Sequence, residues 1–198
     1  MNEWVSLLLY ALMAVFAENL VLTGGIGSSR MLRAARKPKL LLSYGVLICL
    51  FSLVTSLISM LLNPWIDGFE QPQLFRPLLY AVVASMVYIA AVLLLKYALP
   101  LVYEKLQKIL PSASLNCIIM ALPLIISEKQ LTAAQAVGFS LGGAVGFMLA
   151  AWLTSEGIRR INNVKMAKAF LGLPSLFLYL GILSLAFLGF TGGAIFSR

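Results

Sequence analysis

In a chain of 198 residues with a mean hydropathy of +0.97, 61% of positions are hydrophobic and only 11% are charged, which excludes a water-soluble domain and specifies an integral membrane protein. The net charge of +8 does not indicate a nucleic-acid partner, because the basic residues fall on alternate connections between apolar runs. No histidine is present, which removes histidine-ligated metals and histidine-dependent hydrolysis, and Cys49 and Cys117 both lie inside apolar runs, which excludes a secreted disulfide framework.

Apolar stretches of about 17–25 residues cross a bilayer as helices. Six are expected, over residues 4–22, 40–62, 77–97, 109–127, 133–155 and 170–196, forming one membrane domain over residues 1–198. Arg30, Arg33, Arg36, Lys37 and Lys39 separate the first two spans. Lys96, Lys105 and Lys108 separate the third and fourth, and Arg159, Arg160, Lys165 and Lys168 the fifth and sixth. Those twelve of the 15 basic residues share one side, leaving Arg76, Lys129 and Arg198 on the other. The positive-inside rule makes the basic loops cytoplasmic and puts both termini outside, in the inner membrane of the cell.

The first span closes on Phe16-Ala-Glu-Asn-Leu-Val-Leu-Thr-Gly-Gly-Ile-Gly-Ser-Ser-Arg30. Glu18 falls about 21 Å along a helix begun at Trp4, inside the membrane, where a carboxylate needs a partner, a proton or a polar lining. It fits either a polar pathway or a structural pair with Asn19. Gly24, Gly25 and Gly27 fit a helix broken around a site, or one that simply ends before a basic loop.

The second span carries Ser43, Ser52, Thr55, Ser56 and Ser59, small hydroxyls suited to close helix approach and bonds across helices, with Cys49 as a packed apolar residue. Residues 63–76 form the longest external connection, anchored at the interface by Trp65, Phe69 and Phe75, and Pro77 is suited to the first turn of the third span. Residues 100–108 alternate apolar and charged positions, as a short interfacial helix does. The fourth span contains Pro111, Pro123 and the pair Asn116-Cys117, so a broken or half-length helix is expected. The fifth presents Gly138, Gly142, Gly143 and Gly146, two small-xxx-small faces inside a span rather than a nucleotide loop. The sixth ends in Gly189-Phe-Thr-Gly-Gly193, a flexible exit or a packing seam.

Three spans per half give residues 1–99 and 100–198 opposite orientations, as in inverted-repeat transporters. Asn19 and Asn116 are 97 positions apart, as are Pro77 and Pro174. The two irregular spans, one and four, open the two halves, and in such folds the paired breaks meet near the midplane and build the site.

Four stretches, Glu18-Asn-Leu-Val-Leu with Gly27, Leu110-Pro-Ser-Ala-Ser-Leu-Asn-Cys117, Gly138-Phe-Ser-Leu-Gly-Gly-Ala-Val-Gly-Phe147 and Ser184-Leu-Ala-Phe-Leu-Gly-Phe190, carry a resemblance. The chain resembles the six-helix membrane subunits of the Rnf and Nqr ion-translocating oxidoreductases, of the Rnf A-type and Nqr E-type. The resemblance implies a pseudo-symmetric six-helix partner inserted the other way up, further Rnf/Nqr-like subunits, and electron transfer coupled to Na+ or H+ movement. It also implies a two-iron, two-sulfur cluster within the membrane, to which each of the two subunits gives one cysteine from its first span and one from its fourth.

Cys117 matches the fourth-span ligand, whereas Ser29, two residues after Gly27, stands where the first-span cysteine belongs. Gly24 and Gly25 replace bulkier residues. Under this reading Gly27 lets the backbone approach the cluster or the partner, and Glu18, Asn19 and Asn116 line a polar pathway. The alternatives are a cluster-less paralogue acting as a scaffold or ion-path subunit, and a stand-alone carrier of a small solute or ion.

Overall fold

The computed structural model is described for residues 2–161 and 172–191, and within them it contains helices and turns without a strand. In chain order these are α1 (Glu3–Val15), α2 (Ser28–Ala35), α3 (Leu41–Ile66), α4 (Pro72–Ala98), α5 (Pro100–Leu106), α6 (Leu110–Ser114), α7 (Cys117–Glu128), α8 (Ala133–Ile161) and α9 (Leu173–Leu188). Short 3-10 turns occupy Pro38–Leu40 and Gly189–Thr191. The all-α membrane class expected from composition is what folds. Five stretches are long and apolar enough to cross a bilayer: Pro38–Ile66, Pro72–Ala98, Leu110–Glu128, Ala133–Ile161 and Leu173–Thr191. The first apolar run does not form a sixth continuous span, because α1 stops after 13 residues.

Both expected breaks are present. Residues 16–27 leave the helix between α1 and α2, and residues 115–116 leave it between α6 and α7.

The bundle is arranged around α8, and its glycines explain why. A Cβ on Gly138 would run into the backbone of Leu7, one on Gly142 into Ala11, and one on Gly146 would lie 3.1 Å from the Ala14 carbonyl oxygen. Each step of four residues on α8 meets a step of three or four on α1, so the two helices run parallel with their backbones in contact. On other faces Gly143 meets Leu122 of α7, Gly45 of α3 meets Met148, and Gly157 meets Tyr179 of α9. Phe139, Ala144, Phe147, Ala150 and Ala151 fill the centre, while Leu42, Leu61, Leu78, Met86, Leu94, Ile182 and Leu185 face outward as a lipid-exposed surface.

The seam tolerates no added methyl where its neighbour is backbone. Gly142→Ala should lower stability by about 1–3 kcal/mol, whereas Gly181→Ala, which faces open space, should leave it unchanged. Thermal unfolding in detergent compares the two.

Several expected boundaries move. The helix begun near residue 40 runs through Pro64 to Ile66, so the external connection shortens to residues 67–71. Asp67 and Arg76 pair across it at 2.7 Å, and Phe69 stacks on Phe75 with ring centroids 5.1 Å apart. Pro72, not Pro77, takes the first-turn position of α4, because its missing N–H is an orphan there; Pro77 lies inside the helix.

Of the small hydroxyls of α3, Ser52, Thr55, Ser56 and Ser59 are buried but do not bond across helices. Ser52 donates to the Cys49 carbonyl at 3.0 Å within its own helix, and the Thr55, Ser56 and Ser59 hydroxyls have no partner among the described residues. Cys49 is half-buried and packs against the core. α5 forms within the expected residues 100–108, and α8 extends past residue 155 to Ile161. Of the sixth expected span, residues 170–171 and 192–196 lie outside the described residues.

Candidate functional site

Once α1 ends, the backbone groups it leaves behind need new partners, and Asn19 supplies most of them. Its side chain is fully buried. The amide nitrogen donates to the Val15 carbonyl at 2.8 Å and to the Gly146 carbonyl of α8 at 3.2 Å. The amide oxygen accepts from the backbone N–H groups of Val21 and Leu22, both at 3.1 Å. The Thr23 hydroxyl closes the turn on the Asn19 carbonyl at 2.6 Å, and Ser184 of α9 donates to the Leu22 carbonyl. Irregular backbone at membrane depth is tolerated only when its polar groups are satisfied in this way.

The turn then passes Gly25 and Gly27 in left-handed conformation, with φ of 67° and 78°. Gly27 is required twice over. Besides its φ, a Cβ there would lie 2.7 Å from Asn116 Oδ1 and 3.0 Å from Ile118. The first break is therefore pressed against the second. Asn116 caps α7 by accepting from the Ile118 N–H at 3.3 Å, while its buried amide nitrogen has no partner among the described residues. Asn19 and Asn116 thus do the same local work, each receiving the N–H two residues ahead.

Two helix starts emerge from this junction. Ser29 is the second residue of α2 and Cys117 the first of α7, and both are exposed on the outside of the bundle. Gly27 and Asn116, the residues that touch, lie two positions before Ser29 and one before Cys117. The junction therefore presses Gly27 against Asn116, with Ser29 and Cys117 each within two positions of that contact along the chain.

Glu18 is placed differently from the expectation. It sits in the turn beyond α1, its N–H bonded to the Met13 carbonyl at 2.7 Å, rather than within a helix. Its carboxylate pairs with Lys129, at the C-terminal cap of α7, and not with Asn19. The Lys129 ammonium also lies 5.6 Å from the centroid of the Phe139 ring. In the sequence Lys129 reads only as a loop charge, and no local spacing links it to a carboxylate 111 positions away.

A family model described as the Rnf-Nqr subunit, membrane protein, matches residues 7–193. The chain belongs to the Rnf-Nqr membrane subunit family. It is 30% identical to the A subunit of the ion-translocating oxidoreductase complex of Syntrophotalea carbinolica, over 94% of this chain and 97% of that protein. It is 27% identical to the A subunit of the Na(+)-translocating ferredoxin:NAD(+) oxidoreductase complex of Acetobacterium woodii, over 95% and 98%. It is 29% identical to the E subunit of the Na(+)-translocating NADH-quinone reductase of Marinobacter nauticus, over 97% and 98%.

For an Rnf-Nqr subunit, the donor set at the junction is short. Four thiolates hold a two-iron, two-sulfur cluster, with histidine as the known replacement. Cys117 presents one exposed thiol, and Ser29 presents a hard hydroxyl that stays protonated near neutral pH. Cys49 lies on α3 against the core, and no group of three or more Cys, Asp or Glu side chains gathers among the described residues. The residues present do not supply the two thiolates that the shared cluster would take from this chain, and no electron-transfer step is assigned to them.

Proposed function

We propose that this chain is the membrane subunit of an Rnf/Nqr-like complex that couples electron transfer to the movement of Na+ or H+ across the membrane. It pairs there with a second six-helix subunit of opposite orientation and with further Rnf/Nqr-like subunits. The observation that carries this reading is the junction of the two breaks. Cys117 and Ser29 open outward from it, which supports a partner subunit seated against that face. The reading also takes residues 1–99 and 100–198 as inverted halves of one domain, a relation supported by the matching roles of Asn19 and Asn116. The basic loops face the cytoplasm and the termini face outward across the inner membrane. Glu18, Asn19 and Asn116 contribute to a polar route beside the junction.

A second reading is favoured by Ser29 itself: a paralogue that keeps the fold and the partner surface without a cluster, acting as scaffold or ion-path subunit. Anaerobic affinity purification from the native membrane in mild detergent tests both. Copurification of a second six-helix subunit with flavin- or iron-carrying subunits is the expected result. Recovery of the chain alone, or only with itself, would remove both and leave a stand-alone carrier.

A further inference from the structure

At the end of the bundle where α2, the start of α3 and the connection from α5 to α6 come together, a recess of about 390 Å³ is lined by Arg30, Arg33, Arg36, Lys37, Lys108 and Ser112, among others. We propose that this recess binds a phosphate group. Arg30, Arg33, Arg36 and Lys37 come from α2 and its end, and Lys108 joins them from the connection between α5 and α6, more than 70 positions further on, so the fold completes the cluster.

Its floor is organised. Arg30 Nη1 donates to the Ser112 hydroxyl at 3.0 Å, and the buried Tyr44 hydroxyl donates to the Ser112 carbonyl. The Arg30 guanidinium is thereby held at one corner with its other donors free for a ligand.

Its cations are also left without counter-charges. Arg76, Lys129, Arg159 and Arg160 each pair with a carboxylate, whereas Lys39, Lys96 and Lys105, outside the recess, have none among the described residues. No carboxylate lines the recess, and among the described residues none of its five cations makes an ion pair. Orienting a membrane protein requires basic residues near span ends, not their convergence on one cavity. Guanidinium forks and ammonium groups around a concave site suit phosphate oxygens, and basic pockets at the ends of membrane helices take phosphate headgroups.

The phosphate has two possible sources. An apolar groove of about 490 Å³, lined by Leu42, Val46, Leu50 and Leu94 among others, also flanks α3 and offers room for an acyl chain of an anionic lipid. A small soluble phosphate would need only the recess.

The test is native mass spectrometry of the full chain, in whatever complex it is purified, with added phosphatidylglycerol, phosphatidylcholine or inorganic pyrophosphate. Wild type should retain phosphatidylglycerol over phosphatidylcholine. The triple variant Arg30→Gln/Arg33→Gln/Lys108→Gln should weaken that retention at least about ten-fold. Lys39→Gln/Lys96→Gln/Lys105→Gln, an equal charge change outside the recess, should not. Should the first triple variant fail to fold, Arg33→Gln, whose side chain makes no hydrogen bond, should still weaken retention about five-fold. If pyrophosphate displaces the lipid, the recess takes free phosphate as well; if it does not, the lipid is its ligand. Equal retention of both lipids without pyrophosphate binding, or equal losses in the two triple variants, would overturn the proposal.

Discussion

Replacing Ser29 by cysteine in the intact complex should raise its iron and acid-labile sulfide by about two atoms each, with visible absorption added to that of the wild-type complex. The expectation follows from position and chemistry together. Ser29 lies in the first turn of α2, two residues beyond Gly27, whose backbone is pressed against the Asn116 side chain next to Cys117. A thiol at position 29 needs no rearrangement of the fold, because the side chain is exposed and makes no hydrogen bond that would be lost. The exchange of a hard, protonated hydroxyl for an ionisable thiol is the whole change. Adding Cys117→Ala to Ser29→Cys should abolish the gained iron. Iron content in the wild-type complex equal to that of Ser29→Cys would show that the missing thiolate is supplied elsewhere and would sink the expectation.

The second large effect concerns Glu18 and Lys129. Their side chains are 33% and 39% exposed at the edge of the first break, so the pair is neither deeply buried nor a freely hydrated surface contact. Removing one charge leaves the other half-exposed beside the first break, without its partner. Glu18→Gln or Lys129→Met alone should each cost on the order of 1 kcal/mol of stability, read as lost assembly and a lower unfolding temperature. The double variant should recover most of that loss, because it leaves no orphan charge.

Ion flux separates the two roles open to the carboxylate. A purely structural pair predicts that the double variant recovers flux along with assembly. A pathway carboxylate predicts assembled complex with flux still impaired. The second outcome is expected here, and full recovery of flux would remove Glu18 from the route.

The sequence foretold the bundle and its two irregular spans more securely than the partners within them. Hydropathy marked the five continuous spans among the described residues but read the first apolar run as a sixth, which α1 ends too early to form, while Gly24, Gly25, Gly27, Pro111 and Pro123 marked where two runs could not go straight. Residues 16–27 as a structured turn were only half visible: the glycines announced a departure from the helix, but the groups that satisfy it, Gly146 and Ser184, come from helices far along the chain. The same separation hid Lys129 from Glu18. The small-xxx-small pattern of α8 identified a packing face without naming α1 as its occupant. Proline misled where two candidates stood close together, since Pro72 and Pro77 are both compatible with a first turn and only the fold chooses between them.

The parallel seating of α1 on α8 has a consequence for how the protein is made. Asn19 reaches the Gly146 carbonyl 127 positions ahead in the chain. At synthesis rates of about 5–20 residues per second, that acceptor leaves the ribosome about 6–25 s after the side chain that needs it. Until then the first helix has no groove to occupy, and its broken turn lacks one of the bonds that hold it. The opening segment of the nascent chain must wait in the membrane or at its insertion machinery, and the site is assembled only as the last third of the polypeptide arrives.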